Sequence, residues 1–447
     1  MPPQPIAYVC VVSDFTLPTL EACLSVQPRQ VLLITSSAQA YELAAQRLQA
    51  LLHEAGMAVD ILSQHSTGEK LGGDDIEADA HWLRRHLVPR LEQYRHAGLQ
   101  CIANLTGGTK SMALGLFTCH PWQRLDYQPM KQPLQAIRHH PETASEGVPF
   151  AMLAAPAMQV ASPLQVARLY NPHAQQSSLN PLRGNPAALA LAQRIWDAQH
   201  SGDAALAALW AGLEQLWSEQ RDRHRTPTVR LTWQEFFPPD KPVDAALQAG
   251  VRGWLEQLQS LLEPAPEPVL DFDAAGITLP GNRPHKQGEH WSRWVSGDWL
   301  EQLAYHWLLQ AGIPAEAVAC NITGGTDDQR SDGWREVDLL VHHKHITSLI
   351  EIKADLPRGK TPAELEQQVS SIGERFGKTR KALLLGPQLL ATLRQGRRAQ
   401  SFWLRCRANN VSLLLRPEQL VAFVCEKPIW PRPAEGADKD FIPPEFA

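Results

Sequence analysis

Arg335-Glu336-Val337-Asp338-Leu339-Leu340-Val341 sets a carboxylate inside an apolar strand, and Leu349-Ile350-Glu351-Ile352-Lys353 sets a second carboxylate and a lysine inside the next. Alternation puts Glu351 and Lys353 on one face of that strand, with Ile350 and Ile352 on the other. A charge that interrupts a buried strand is costly unless it is paired or bound to metal. Two carboxylates meeting at a hairpin make an oxygen-rich site suited to Mg²⁺ or Mn²⁺. Such an ion polarises a phosphodiester and lowers the pKa of a bound water. A lysine one pleat away can orient that water or stabilise the developing negative charge. Glu301, on a Trp-rich helical stretch upstream, is the third candidate acid. An ordinary surface hairpin, with Glu301 on a solvent-facing helix, would show the same spacing.

A second chemical feature is Asn104-Leu105-Thr106-Gly107-Gly108-Thr109-Lys110-Ser111-Met112, which follows one apolar run and opens a helical one. Paired glycines let the backbone approach a ligand, and the free N–H groups of a helix start favour phosphate. Lys110 adds positive charge and the hydroxyls add donors. The spacing is that of neither a Walker A loop nor a dinucleotide fingerprint. A tight strand-to-helix turn that uses glycine for geometry is the plain alternative.

The elements that must position these groups read as alternating strands and helices. Ala7–Val12, Gln30–Ile34, Val59–Leu62 and Leu99–Asn104 are strand runs, and Leu17–Val26, Ala38–Ala55 and Glu77–Ala97 are helical between them. That order implies a parallel sheet with helices on both faces, with ligands at the carboxyl ends of the strands. Those ends are Ser13-Asp14, Thr35-Ser36 and the Thr106–Ser111 loop. Leu125–Arg138 reads as a closing hairpin and His139–Gly147 as a polar break. The middle is Pro-rich, with amphipathic stretches at Pro186–Trp217 and Val243–Leu262 and a strand and turn at Asp271–Pro284; it fits a small helical or winged-helix module. The third part places Glu301 on a helix over Ser296–Ala311, strands at Ala317–Thr323, Glu336–His342 and Ile346–Ile352, and a helix at Thr361–Phe376. Strands at Lys381–Leu385 and Val411–Leu415 follow. The expected division is 1–145 parallel-sheet domain, 146–290 linker and helical middle, 291–430 third domain and 431–447 flexible tail.

A chain of 447 residues exceeds one typical core, and 44% hydrophobic with 20% charged residues is a soluble globular balance. No run is long enough to span a bilayer, and the apolar stretch Ile6–Val12 lacks the flank and length of a signal peptide. Seven cysteines without a Cys-x-x-Cys pair argue for reduced thiols, a cytoplasmic home and no zinc ribbon. The net charge of −5 excludes a uniformly basic nucleic-acid binder, yet Arg375–Arg407 holds nine Lys or Arg and no acid. That block reads equally as a phosphate footprint or a solvated face. Trp291, Trp294, Trp299, Trp307 and Trp334 read as core rather than a stacking platform. His342, His343 and His345 read as a solvated turn, and Cys10, Cys101, Cys119 and Cys320 as core.

Glu301, Asp338 and Glu351-x-Lys353 resemble the PD-(D/E)xK nuclease superfamily, although Val337 stands where that name has proline. The resemblance implies that Asp338 and Glu351 bind metal, Lys353 assists the water, Glu301 supports the metal shell, and Gln367 or Gln368 is a polar helper. The Thr106–Ser111 loop resembles the signature of CARF domains, the Rossmann-like sensors of CRISPR systems. That implies a homodimer binding cyclic oligoadenylate across its two-fold axis, against Ser13, Asp14, Thr35, Ser36, Thr106, Gly107, Gly108, Thr109, Lys110 and Ser111. Together with Ser296–Glu301 and the stretch Ile372-Gly373 to Gly377-Lys378, the two ends resemble the Card/Can group of CRISPR ancillary nucleases. The implied fold is α/β: a Rossmann-like CARF domain, a small middle and a restriction-endonuclease-like domain. The implied activity is a metal-dependent endonuclease, switched on by cyclic tetra-adenylate, that cuts single-stranded DNA, RNA or supercoiled DNA. A ligand-sensing transcriptional regulator and a ring nuclease acting at the Thr106 loop are the alternatives.

Overall fold

The continuous apolar run Ile6–Val11 makes β1 a strand buried on both faces, and the first sheet is centred on it. The computed structural model describes residues 4–122, 124–128, 134–139, 150–215, 228–237, 244–261, 270–281, 286–324, 336–355, 361–376, 379–395, 398–425 and 446. The first stretch holds β1 (Ile6–Val11), α1 (Leu17–Val26), β2 (Gln30–Ile34), α2 (Gln39–Glu54), β3 (Ala58–Leu62), the single turn α3 (Gln64–Thr67), α4 (Ile76–His86), α5 (Val88–His96), β4 (Gln100–Asn104), α6 (Lys110–Cys119), β5 (Leu125–Tyr127), β6 (Gln135–His139) and β7 (Phe150–Leu153). The strand order is β3-β2-β1-β4-β5-β6-β7. β1 to β5 run parallel, and β6 and β7 are antiparallel additions at one edge. The chain moves outward from β1 to β3, then returns to β4 on the other side of β1. The switch point between β1 and β4 is where such sheets open a crevice.

The helical stretch expected over Glu77–Ala97 is two helices, because Pro89 enters in the first turn of α5 and cannot continue α4. Asp75 caps α4 by accepting the Glu77 and Ala78 amides, and Thr109 caps α6 by accepting the Met112 amide. α1 and α2 cover one face of the sheet, whereas α4, α5 and α6 cover the other.

The middle holds α7 (Pro163–Tyr170), β8 (Gln175–Gln176), a 3-10 turn at Pro181–Gly184, α8 (Pro186–Ser201), α9 (Ala204–Gln215), β9 (Thr228–Thr232), α10 (Trp233–Phe236), α11 (Ala245–Ser260), β10 (Asp271–Phe272) and β11 (Gly276–Pro280). From α9 onward this helix, strand, helix, helix, hairpin order is that of a winged helix, with a three-stranded antiparallel sheet β10-β11-β9. The last stretch holds α12 (Lys286–Arg293), a π-helical turn Trp294–Asp298, α13 (Trp299–Gln310), β12 (Val318–Thr323), β13 (Val337–His343), β14 (Ile346–Lys353), α14 (Pro362–Arg375), β15 (Arg380–Leu385), α15 (Pro387–Gln395), α16 (Ala399–Ala408), β16 (Val411–Leu414) and α17 (Pro417–Cys425). Its sheet has the order β16-β15-β14-β13-β12-β8. One face packs on α13, α17 and the winged-helix-like module in a single core that takes in Trp291, Trp294, Trp299 and Trp307. The other face packs on α14, α15 and α16. Trp334, the polar residues 140–147 and the tail, Phe446 excepted, lie outside the described residues.

α7 joins the two sheets. Val166 and Leu169 enter the core of the first, Ala167 that of the second, and the Tyr170 ring meets Phe376 at 5.8 Å. A polar contact lies beside it, and it corrects the solvated turn expected for the histidines. His342 is 0% exposed, and its Nε2 donates to Glu21 of α1 at 2.8 Å. His345 Nδ1 donates to the other oxygen of the same carboxylate at 2.8 Å.

Burial raises the Glu21 pKa, but the hydrogen bonds from His342 and His345 outweigh it and bring the group down to about 2. His345, bonded to that carboxylate, is raised above its ordinary value. Glu21 therefore contributes stability that is complete above about pH 4.3 and is lost as pH falls toward the folded value. His345 contributes stability that is complete below about pH 6.5 and is lost as pH rises through its raised folded value. Replacing Glu21 by glutamine is expected to lower the melting temperature most between about pH 4.5 and 6.5, with a smaller gap on either side. Thermal melts of both proteins across acid and alkaline buffers check this, and a gap independent of pH would contradict it.

Candidate catalytic and sensor sites

β13 and β14 pair antiparallel with Leu339 opposite Ile350, so Asp338 faces Glu351 one step further along. There the ladder gives way to side chains. Asp338 Oδ2 accepts the Ile352 amide at 2.7 Å and the Lys353 ammonium at 3.0 Å. Glu351 Oε1 accepts Lys353 Nζ at 2.7 Å and Gln368 Nε2, from α14, at 2.9 Å. The same ammonium donates to the Ile352 carbonyl at 3.0 Å. Asp338 and Glu351 are buried, at 7% and 2% exposure, so the surface-hairpin alternative does not hold. Burial presses the Lys353 pKa down, but Asp338 and Glu351 outweigh it and hold the group raised. Lys353 thus lies as a cation between the two carboxylates. Of the two glutamines proposed as helpers, Gln368 reaches the site and Gln367 is exposed.

Two carboxylate oxygens and a backbone carbonyl therefore converge on one cation. That hard oxygen set fits Mg²⁺ or Mn²⁺. Among the described residues no group of three or more His, Cys, Asp or Glu side chains is arranged to hold a metal.

Glu301, in the first turn of α13, is paired with Arg183 from the 3-10 turn; their side chains are 13% and 6% exposed. Arg183 also donates to Asn321 Oδ1 at 2.9 Å. Asn321 interrupts β12 with a left-handed backbone, φ +51°, between the pairs Cys320–Leu339 and Ile322–Val337, and so lies across from Asp338. Asp298 and Gln302 clamp this turn. Asn180 donates to Asp298 at 2.9 Å, and Gln302 donates to the Arg183 carbonyl at 2.9 Å. Sequence reasoning missed Arg183. Its only local signal is a Pro-Leu-Arg-Gly turn that says nothing of a partner in a distant helix. Glu336, beside Asp338, is pushed up by burial and by Asp338 itself. The basic block is dispersed. Arg380 is tied to the Phe423 carbonyl and Lys381 to Ser370, while Arg398 and Arg405 are exposed.

At the other site, Cys10 pairs with Asn104 and Val11 with Ile34, which brings Ser13-Asp14, Thr35-Ser36 and the Thr106 loop to one end of the sheet. Their roles divide there. A Cβ on Gly107 would meet the Val11 carbonyl oxygen at 1.9 Å, and one on Gly108, at φ +76°, would meet Val11 Cγ1 at 2.2 Å. Both glycines are thus demanded by the approach to β1. Thr109 donates to the Gly73 carbonyl, and Ser111 to Asp79 at 2.7 Å, so both tie the loop to the start of α4. Thr35 and Ser36 are buried, and the Thr35 hydroxyl donates to the Ser36 carbonyl at 3.1 Å. Lys110 and Asp14 are exposed and Ser13 and Thr106 half-buried, so these four present the polar surface.

Neither protein-family models nor curated proteins match the sequence. Solved structures do. Protein VC1899 from Vibrio cholerae superposes with a TM-score of 0.63 at 14% identity, covering 94% of this chain and 96% of that one. Can2 from Sulfobacillus thermosulfidooxidans, solved in complex with cyclic tetra-adenylate, superposes with a TM-score of 0.58 at 17% identity, covering 93% and 97%. At these identities the likeness is one of fold. The chain shares its α/β fold with these two proteins along nearly its whole length, as its order of strands and helices led one to expect.

Removing one partner of a buried ion pair strands the other at a cost of about 3–5 kcal/mol. Arg183→Ala is expected to destabilise the second sheet's domain by that order, and Arg183→Met with Glu301→Gln to recover part of it. Denaturant unfolding followed by tryptophan fluorescence reads this directly, through Trp291, Trp294 and Trp299. A neutral Arg183→Ala would show that the pair is not formed in solution.

Proposed function

We propose that the chain is a metal-dependent endonuclease switched on by cyclic oligoadenylate, acting on DNA or RNA in type III CRISPR antiviral defence. The observation that carries this reading is the convergence of Asp338, Glu351 and the Ile352 carbonyl on a single cation, in a chain whose other sheet gathers the Thr106 loop at its switch point. A divalent ion held by those three groups would polarise the phosphodiester and lower the pKa of a bound water. The chain's own residues set the rest. Gln368 fixes the Glu351 carboxylate. Lys353 would orient the attacking water or stabilise charge that builds on the scissile phosphate. Glu301, neutralised by Arg183, supports the shell behind Asp338 rather than adding free negative charge.

In the sensor, two copies of the chain would bind cyclic tetra-adenylate across a two-fold axis. Lys110 and the opening turn of α6 suit phosphate, and Ser13 and Asp14 suit ribose hydroxyls or adenine amino groups. Thr35, Ser36, Thr109 and Ser111 shape the loop from within. The likeness of fold to a protein solved with cyclic tetra-adenylate supports this assignment.

The test is cleavage of single-stranded and supercoiled nucleic acid with Mn²⁺, with and without cyclic oligoadenylates. Asp338→Ala, Glu351→Ala and Lys353→Ala are each expected to lose at least about a hundredfold in rate while still binding activator. Intact cleavage by Glu351→Ala or Lys353→Ala would refute the site. The winged-helix order of the middle favours one second reading, a ligand-sensing DNA-binding regulator. A ligand-dependent gel shift, with no cleavage under any metal, would select it.

A further inference from the structure

An acid inside an apolar helix is costly unless its lone pairs are met. Glu21 is the only charged residue of α1 and is 1% exposed. Its Oε1 accepts His342 Nε2 at 2.8 Å and the Ala161 amide at 3.3 Å; its Oε2 accepts His345 Nδ1 at 2.8 Å and Gln128 Nε2 at 3.4 Å. The histidines belong to the β13–β14 hairpin, whereas Gln128 follows β5 of the other sheet.

The contacts continue on both sides. The Gln128 amide donates to the Thr106 hydroxyl at 2.9 Å, inside the Thr106–Ser111 loop. His342 Nδ1 accepts the hydroxyl of Thr347 at 2.9 Å, its register partner on β14. Asp338 lies four positions back along β13, on the same face as His342, and strand geometry sets them about 13 Å apart. Lys344 and His345, the two turn residues, both have left-handed backbones, φ 48° and 62°. Neither is glycine, so the turn is strained, and Glu21 holds it at His345. One run of hydrogen bonds, passing through the backbone N–H and the side chain of Gln128, thus joins the Thr106 loop to the strand that carries Asp338.

We infer that Glu21 and His342 are positioning residues that make the place of the catalytic hairpin depend on the state of the Thr106 loop. This rests on the proposed function. A paired hairpin is stiff along its strands, so a shift at the His342 end moves Asp338 and Glu351 against Gln368, on α14, and Arg183, in the 3-10 turn. The run is contiguous and hydrogen-bonded, as coupling between separated sites requires. Glutamine at position 21 keeps the shape of the side chain but removes the charge that both imidazoles address.

The experiment uses the full-length chain and four proteins: wild type, Glu21→Gln, His342→Gln and the double variant. Each is titrated with cyclic tri-, tetra- and hexa-adenylate by calorimetry and assayed with Mn²⁺ on single-stranded DNA and RNA, with Asp338→Ala as the dead control. The expected result is activator Kd and activator-free cleavage within about twofold of wild type. Activated kcat falls at least about tenfold at unchanged substrate KM, within the usual range of coupling between sites. The double variant is no worse than the singles, as members of one pathway behave. Full activation of both single variants overturns the inference, as does an equal loss of basal and activated cleavage, which would mark a merely structural contact. A wild-type chain that binds no cyclic oligoadenylate, or that cleaves without responding to one, overturns the activator-gated function itself and this inference with it.

Discussion

Two carboxylates cannot both stay ionised side by side in a buried strand pair unless a cation sits between them. Lys353 meets that constraint, and much of the surrounding structure follows from it. Its ammonium reaches Asp338, Glu351 and the Ile352 carbonyl because strand alternation leaves Lys353 and Glu351 on one face and the register puts Asp338 opposite. α14 then has to close that face without adding charge beside Glu351, and it does so with apolar Leu365 and Val369 and the neutral amide of Gln368. The same accounting governs Glu301 on α13, whose buried carboxylate has Arg183 against it.

The sequence made the local physics legible. Alternation in Leu349–Lys353, the apolar run of β1 and the return of strand-like segments between helical ones lead to a hairpin with facing acids and to a parallel sheet with a switch point. What it left hidden is whatever depends on contacts distant in the chain. The histidines near residue 343 have the composition of a solvated turn, and only Glu21, 321 positions away, makes His342 a core residue. Arg183 sits in a Pro- and Gly-bounded turn whose partner is on a separate helix. Thr35 and Ser36 have the right residue types at the right strand end, yet they are buried. The two glycines of the loop look like an opening for a ligand, but their first duty is to let the backbone rest on Val11.

Two of those hidden contacts reach across the chain: Glu21 meets the hairpin that carries Asp338 and Glu351, and Arg183 meets Glu301 on α13. The 3-10 turn delivers Arg183 from the middle of the chain. α7 delivers Ala167 to one core and Val166 to the other. The winged-helix-like module shares its core with α13 rather than standing apart. A site assembled this way cannot be cut out as an isolated hairpin, and its geometry reports on the placement of every segment that reaches it.

The two contacts between the sheets differ in kind, and the difference has a consequence. The apolar packing of α7 is non-directional and tolerates small slides at little cost. The Glu21 carboxylate is directional, because its donors must keep both length and angle, and a broken bond leaves a charge in an apolar interior. Of the two, α7 holds the sheets together and Glu21 decides how they are aligned. On the coupling inferred above, a movement that begins at the end of β1 or β4 would reach the β13–β14 hairpin through Glu21.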